Sequence, residues 1–481
     1  MNSFKLGDLL IEMSEKYEKQ QAFLFPVDKY TVTPVRYSEF LKDLEYGVAI
    51  GEKITYQRIA IIGYNSYSWI LTAFSLLLCG KSLILLDPGL GKQDLVHLLA
   101  YTDTECLMIS PELEDELEFL RDNYHVERFL SVEQAKDRRS LEGLPVQGGD
   151  FLCFTSGTSK SSKGVVVTAE VFVKHILLAE NVLPGKKADR FFLPLPLHHM
   201  YALTMIFHIM KKGAVVCLGT TPRYLKQEAV LFDADIAMLV PSMIDFLFQD
   251  EKIMPRLYAV ILGGSRFRKE SADKIKARGI QIVNIYGSSE TAGFISCNRP
   301  GEDENWLRPY GPIQFVLRDT GELGVKLPFC MEGYYKRPED TELVLEDGCF
   351  WTGDAGQIDQ EGRAMILGRI RDTIVIENGE KIHAEDIDSA LNQIKGVQEA
   401  AVVYVPQCGI CAVIVVEPDT NVQMIQKGIE AYNRDCTPGQ RIRHIWYREE
   451  KLPRTATGKL KRYKLENEYQ IWNDSCQVKE D

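Results

Sequence analysis

Short apolar runs alternate with longer amphipathic stretches along most of this chain. Residues 59–62 and 83–86 are compact Ile- and Leu-rich runs, and residues 67–78 between them are almost wholly apolar. Short bounded runs read as buried strands, and the longer one reads as a helix. The resulting strand–helix–strand unit implies parallel pairing and a right-handed crossover. The window 69–86 is the most apolar in the chain, but Gly80 and Lys81 interrupt it. A membrane span needs about 20 consecutive apolar residues, so a helix followed by a strand fits better and no transmembrane segment is expected. Near the start, Phe4, Leu6, Leu9, Leu10, Ile11, Met13 and Tyr17 recur at helical spacing. Glu and Asp fill the opposite face, which predicts docking on the protein's own core rather than on a membrane surface.

The alternation resumes downstream. Residues 191–195, 214–218, 236–240, 258–262 and 280–285 read as strands, and 202–210 and 269–278 as helices, with Pro241 opening another. Repeated βα units predict a large α/β domain with mainly parallel sheets and ligands at the carboxyl ends of strands. From about Gly368 the texture changes. Strands at 374–376, 401–405 and 412–417 and helices at 384–394 and 422–432 predict a small α+β domain. A chain of 481 residues is too long for one ordinary core. The expected division is 1–368 and 369–481, with the charged Arg369-Ile370-Arg371-Asp372 as a hinge between a large domain and a small mobile one.

Composition narrows the function classes. The hydrophobic fraction is 45 % and the charged fraction 26 %, which is ordinary for a globular protein. A net charge of −12 argues against nucleic acid or an anionic membrane as partner. The count of 11 cysteines is odd, no signal peptide precedes them, and a reducing cytoplasmic setting is expected. Cys408 and Cys411 form a lone C-x-x-C without a second pair, so buried free thiols fit better than zinc.

Candidate chemistry concentrates in a series of short segments. Residues 151–154 and 165–168 read as strands around a loop holding Thr155, Ser156, Gly157, Thr158, Lys160, Ser162 and Lys163, then Gly164. Hydroxyls, glycine-freed N–H groups and two ammonium groups suit a polyphosphate, although for an isolated Ser-rich run a solvated linker would be the better reading. The nucleotide-triphosphatase loop is excluded, because Lys163 precedes its glycine and a strand follows instead of a helix. Gly263-Gly264-Ser265 and Tyr286-Gly287-Ser288-Ser289-Glu290 close two strands. Their glycines, Gly263, Gly264 and Gly287, allow close approach to a planar ligand, Tyr286 offers a face to adenine, and Glu290 is a hard oxygen ligand for magnesium. Asp354, after Gly353, can accept both hydroxyls of a ribose. Pro196-Leu197-His198-His199 follows a strand, Gly368-Arg369 and Asn378-Gly379 flank the domain change, and Pro453-Arg454-Thr455-Ala456-Thr457-Gly458-Lys459 lies near the end.

In their order along the chain, beginning with Asp87-Pro88 at the end of the strand 83–86 and running to Lys459, the segments resemble the adenylate-forming superfamily of acyl- and aryl-CoA ligases, adenylation domains and luciferases. The resemblance implies Lys459 as the catalytic lysine, His199 close to the substrate carboxylate, and Glu290 with Thr158 near the metal. It further implies Asp354 and Arg369 on the ribose, Arg371 at the hinge and Gly379 lining a thiol tunnel. Lys160 and Ser162 stand where the superfamily usually has Gly and Pro, and residues 311–326 are shorter than usual. The implied reaction activates a small carboxylic acid with ATP and Mg2+ to an acyl-adenylate, then transfers it to coenzyme A. Two alternatives stay open: loading of a carrier-protein phosphopantetheine, and a non-catalytic nucleotide-binding relative. Apolar neighbours such as Met200, Leu203 and Ile285 lean towards a fatty or aryl acid.

Overall fold

The computed structural model describes all residues except 1–4, 134, 145–148, 155–162, 180, 250–252, 265–268, 376–380, 406–407, 419, 455–459 and 478–481. The chain divides into two units, Met1–Gln314 with Lys326–Phe350, and Phe315–Val325 with Trp351–Asp481. The 368/369 junction read from the sequence falls inside the second unit. There the strand Ala364–Arg369 pairs with residues 354–358.

Two sheets build the first unit. One places seven strands in the order Gly333–Tyr334, Gly164–Thr168, Asp150–Phe154, Ser82–Leu86, Arg58–Ile62, Cys106–Ile109 and His125–Arg128. Its last five strands pair in parallel, and its first three are antiparallel. The other sheet has nine strands. Its parallel centre runs through Gln281–Ser288, Ala259–Leu262, Ile236–Leu239, Arg190–Leu193, Val215–Leu218 and Gln21–Pro26. Ser82–Leu86, Val215–Leu218, Ile236–Leu239 and Ala259–Leu262 are buried at every position, so both faces are covered. That is why they read as continuous apolar runs and not as alternations.

The helix Tyr67–Leu78 occupies the expected span. Ser66 caps it by accepting the Trp69 N–H at 3.1 Å, and every residue from Trp69 to Leu78 is buried. Its Phe74 meets Phe207, Phe172 and Phe151 at ring-centroid distances of 4.9, 6.3 and 6.4 Å. One aromatic cluster therefore ties three helices to the strand that leads into the Ser/Thr loop. No helix among the described residues is long and apolar enough to cross a membrane. The helix Leu6–Tyr17 buries Leu6, Leu9, Leu10, Met13 and Tyr17, and the Tyr17 hydroxyl donates to the Lys211 carbonyl at 3.0 Å.

Several elements fall outside the spans expected from sequence. The hairpin Gln21–Pro26 and Val32–Arg36 is one, joined to its sheet through Val215–Leu218. The helices Tyr37–Gly51, Lys92–Tyr101, Ala169–Leu178 and Leu225–Phe232 are others.

The second unit has its own core. Val397–Val405, Gly409–Val416 and Ile442–Arg448 form a sheet covered on both faces. Val402, Ala412 and Ile414 face one apolar cluster with Ile387 and Ile425, and Val403, Cys411 and Val413 face another with Leu465 and Tyr469. Alternate residues serve opposite faces, as the strand repeat of two requires. Cys411 is buried as expected, whereas Cys408, in the turn before the middle strand, is only half-buried; both are free thiols.

Candidate active site

Thr155, Ser156, Gly157, Thr158, Gly379 and Lys459 lie outside the described residues. What flanks them is defined. Asp150–Phe154 and Gly164–Thr168 form an antiparallel hairpin with Phe154 opposite Gly164, so the Ser/Thr loop connects two directly paired strands. Tyr334 lies across from Val165 on the next strand.

Lys163 is the last loop residue and sets the local electrostatics. Its ammonium is 3.0 Å from Asp340 Oδ1 and 4.6 Å from the centroid of the Tyr334 ring. The Tyr334 hydroxyl in turn donates to Glu290 Oε1 at 2.9 Å. The Glu290 backbone is held as well, its carbonyl accepting the Met331 N–H at 2.7 Å. The loop's cation and the candidate metal carboxylate thus share one aromatic ring. The Lys163 ammonium holds the Asp340 carboxyl below its ordinary range, and Arg337 adds a second contact at 3.4 Å. Neither Tyr334 nor Asp340 had been assigned a role from sequence. A Gly-Tyr-Tyr followed by a proline-opened helix is a weak signal alone, and only strand pairing brings it to the loop.

The His198–His199 turn is positioned by a residue that gave no sequence signal beyond standing before a capping serine. Asn65 is buried between the two sheets. Its amide nitrogen donates to the carbonyls of Leu195 at 2.8 Å and Gly219 at 2.9 Å, and its oxygen accepts the Leu197 N–H at 2.9 Å. His199 is the residue just before the helix Met200–Lys211 and is half-buried. The His198 ring stacks obliquely on it with centroids 4.3 Å apart. His198 itself is buried, with Nε2 4.0 Å from Asp87 Oδ2, and burial pushes its pKa down to about 4.

Gly263 ends the strand Ala259–Leu262 beside Ile285 and the Tyr201 ring, and Gly264 follows it with φ +90°, a conformation that favours glycine. Tyr286 lies half-buried within Gln281–Ser288, one residue before Gly287. A Cβ on Gly287 would meet the Gly293 carbonyl oxygen at 2.1 Å. Close approach of the neighbouring strand Gly293–Cys297 therefore demands this glycine, a reason independent of any planar ligand.

In the second unit Asp354 and Arg369 are cross-strand neighbours. Arg369 Nε is 2.9 Å from Asp354 Oδ1, and its Nη1 donates to the Thr352 carbonyl at 3.2 Å. The two ribose candidates are brought together, and the buried carboxylate is neutralised by its partner. Arg371 sits in the short turn Ile370–Asp372 with 77 % of its side chain exposed. Thr373–Val375 and Lys381–His383 pair on either side of 376–380, the segment containing Gly379. Arg454 and Leu460 pair across 455–459, the segment containing Lys459, and Arg454 is 3.2 Å from Glu399.

No three metal-ligating side chains converge among the described residues. Glu290 still fits a Mg2+ that arrives on a nucleotide. Magnesium keeps waters and phosphate oxygens and takes only one or two protein carboxylates.

A model of the AMP-binding enzyme family matches residues 51–335. A 2-succinylbenzoate–CoA ligase of Listeria monocytogenes is 26 % identical over 429 residues, covering 86 % of this chain and 89 % of its own length. A long-chain-fatty-acid–CoA ligase of Mycobacterium tuberculosis is 28 % identical over 351 residues, 67 % and 68 % of the two chains. Among solved structures, an anthranilate–CoA ligase in complex with anthranoyl-AMP superposes with a TM-score of 0.84 at 19 % identity, covering 97 % of each chain. The o-succinylbenzoate–CoA synthetase of Bacillus subtilis gives 0.81 at 19 % identity over 95 % and 97 %. These structures share the fold.

Proposed function

The chain belongs to the AMP-binding enzyme family, and we propose that it is an AMP-forming ligase that joins a carboxylic acid to the thiol of coenzyme A. The observation that carries this reading is the convergence of Lys163 and Glu290 on Tyr334, beside the Ser/Thr loop. A cation and a carboxylate so placed suit a nucleotide polyphosphate and its magnesium.

A carboxylate is a poor acyl donor because oxide is a poor leaving group. Its oxygen attacks the α-phosphorus of ATP, the bond from that phosphorus to the bridging oxygen breaks, and pyrophosphate leaves. The acid is then held as a mixed anhydride with AMP. The coenzyme A thiol attacks the acyl carbon, loses its proton and displaces AMP. Two anions must approach in the first step, so catalysis rests on positioning and charge neutralisation. In this reading Lys163, with Thr155, Ser156, Gly157 and Thr158, binds the departing phosphates. Glu290 holds Mg2+, which supplies neutralising charge when bound, with Thr158 as a second ligand. His199 meets the substrate carboxylate. Tyr286, Gly263, Gly264 and Gly287 receive adenine, and Asp354 and Arg369 receive ribose. Lys459 bridges the carboxylate and the α-phosphate, and Gly379 lines the thiol path.

Acid-dependent exchange of labelled pyrophosphate into ATP tests the first step, using aryl, fatty and amino acids in turn. Product formation with coenzyme A or with a pantetheinylated carrier protein then identifies the acceptor. The names of the relatives favour coenzyme A and an aryl or fatty acid. Lys459→Ala is expected to slow exchange on the order of a hundredfold or more. Exchange at the wild-type rate in that variant would remove Lys459 from the mechanism.

A further inference from the structure

We propose that Tyr334 is a positioning residue that couples the metal carboxylate to the phosphate-loop cation, and that Asp340 parks Lys163 until polyphosphate displaces it. The proposal rests on the adenylating reading above and adds two residues to it.

The geometry of Tyr334 supports the first half. Its hydroxyl donates to Glu290 Oε1, its ring face carries the Lys163 ammonium, and its own backbone is fixed twice over. The Tyr334 N–H donates to Thr341 Oγ1 at 2.8 Å, and strand pairing sets it opposite Val165. The ring is buried, so it cannot swing freely. A donor to one carboxylate oxygen fixes which oxygen and which lone pairs face a bound ion, and such outer partners are worth much of a site's affinity. Through the other end of the same side chain, a cation over the ring face gains electrostatic attraction without a directional bond. Lys163 can therefore leave without disturbing Glu290.

Asp340 supports the second half. Its carboxylate is close to two cations, Lys163 at 3.0 Å and Arg337 at 3.4 Å. An incoming polyphosphate competes for Lys163 with several negative charges against one. When Lys163 goes, Arg337 remains to neutralise Asp340, so the release leaves no bare carboxylate beside the nucleotide. The Lys163–Asp340 pair is about one-third exposed on both sides, which keeps its strength modest and the exchange reversible.

Two conservative variants separate the halves, with calorimetric binding of a non-hydrolysable ATP analogue at varied Mg2+ as the readout. Tyr334→Phe keeps the ring and removes the donor. The Mg2+ concentration for half-maximal analogue binding should rise about tenfold. The analogue's affinity at saturating Mg2+ should stay near wild type. Asp340→Asn removes the competitor of the polyphosphate, and the analogue should bind about two- to fivefold more tightly. An unchanged Mg2+ requirement in Tyr334→Phe, or unchanged or weaker binding in Asp340→Asn, overturns the proposal. Asp340 is half-exposed, so its variant reports even if Tyr334→Phe fails to fold. Wild-type pyrophosphate exchange is measured in parallel. Its absence across all acids defeats the adenylating reading, while the predicted binding shifts would leave this inference standing.

Discussion

Asn65 shows how one buried amide can matter more than a motif. It makes three hydrogen bonds to backbone on the loops that follow two strands of the second sheet. Asn65→Ala would strand two buried carbonyls and one N–H. A stability loss of about 2–4 kcal/mol is expected in urea unfolding. The KM for the acid should rise with it, because Leu197 leads directly into His198 and His199. Unchanged stability together with unchanged KM would show that the turn holds itself. At this scale the sequence was only partly legible. His199 and Glu290 stand in recognisable strings, whereas Asn65 takes on meaning from Leu195, Leu197 and Gly219, and Asp340 from Lys163, all over a hundred residues away.

At the scale of elements, the hairpin Asp150–Phe154 with Gly164–Thr168 and the helix Tyr67–Leu78 were readable from local pattern, since each is bounded by turn or capping residues. The strand Gln21–Pro26 was not, because its pairing with Val215–Leu218 is what makes it a strand. The turn Ile370–Asp372 carries a functional prediction. Arg371 is exposed and contributes little packing, so replacing it tests backbone freedom more than stability. Proline fixes φ and removes a donor. If the turn is the hinge on which the lysine-bearing segment moves between the two half-reactions, Arg371→Pro should lower thiol transfer several-fold and spare pyrophosphate exchange. An equal fall in both rates would count against the hinge.

For the whole molecule, buried histidines link folding to pH. Burial holds His175 and His198 at a pKa of about 4 and pushes His208 well below the ordinary histidine value. All three are neutral in the folded chain near pH 6, whereas unfolded histidine titrates near 6.5. The unfolded state therefore binds more protons below that value, and stability falls as pH drops from about 6.5 towards 4. Each group adds about 1.4 kcal/mol per pH unit to the slope. Urea midpoints between pH 7 and 5, above most carboxylate titration, should show this decline. His198→Phe should make the decline shallower by about a third. A pH-independent midpoint across that range would mean the rings are hydrated or protonated in the fold.

The order of apolar runs, the glycine and serine punctuation and the strings at Tyr286, Gly353-Asp354 and Pro453 determined the layered α/β architecture and its superfamily without any coordinates. Such features depend on neighbours in the chain, and local sterics and hydrophobic periodicity express them directly. The tertiary structure alone decided that Tyr334 touches both Lys163 and Glu290, that Asp354 meets Arg369, and that Asn65 holds the histidine turn. The Tyr334 and Asn65 contacts join segments far apart in sequence, and Asp354 meets Arg369 across a strand pair, so the energy of each appears only once the strands are in register.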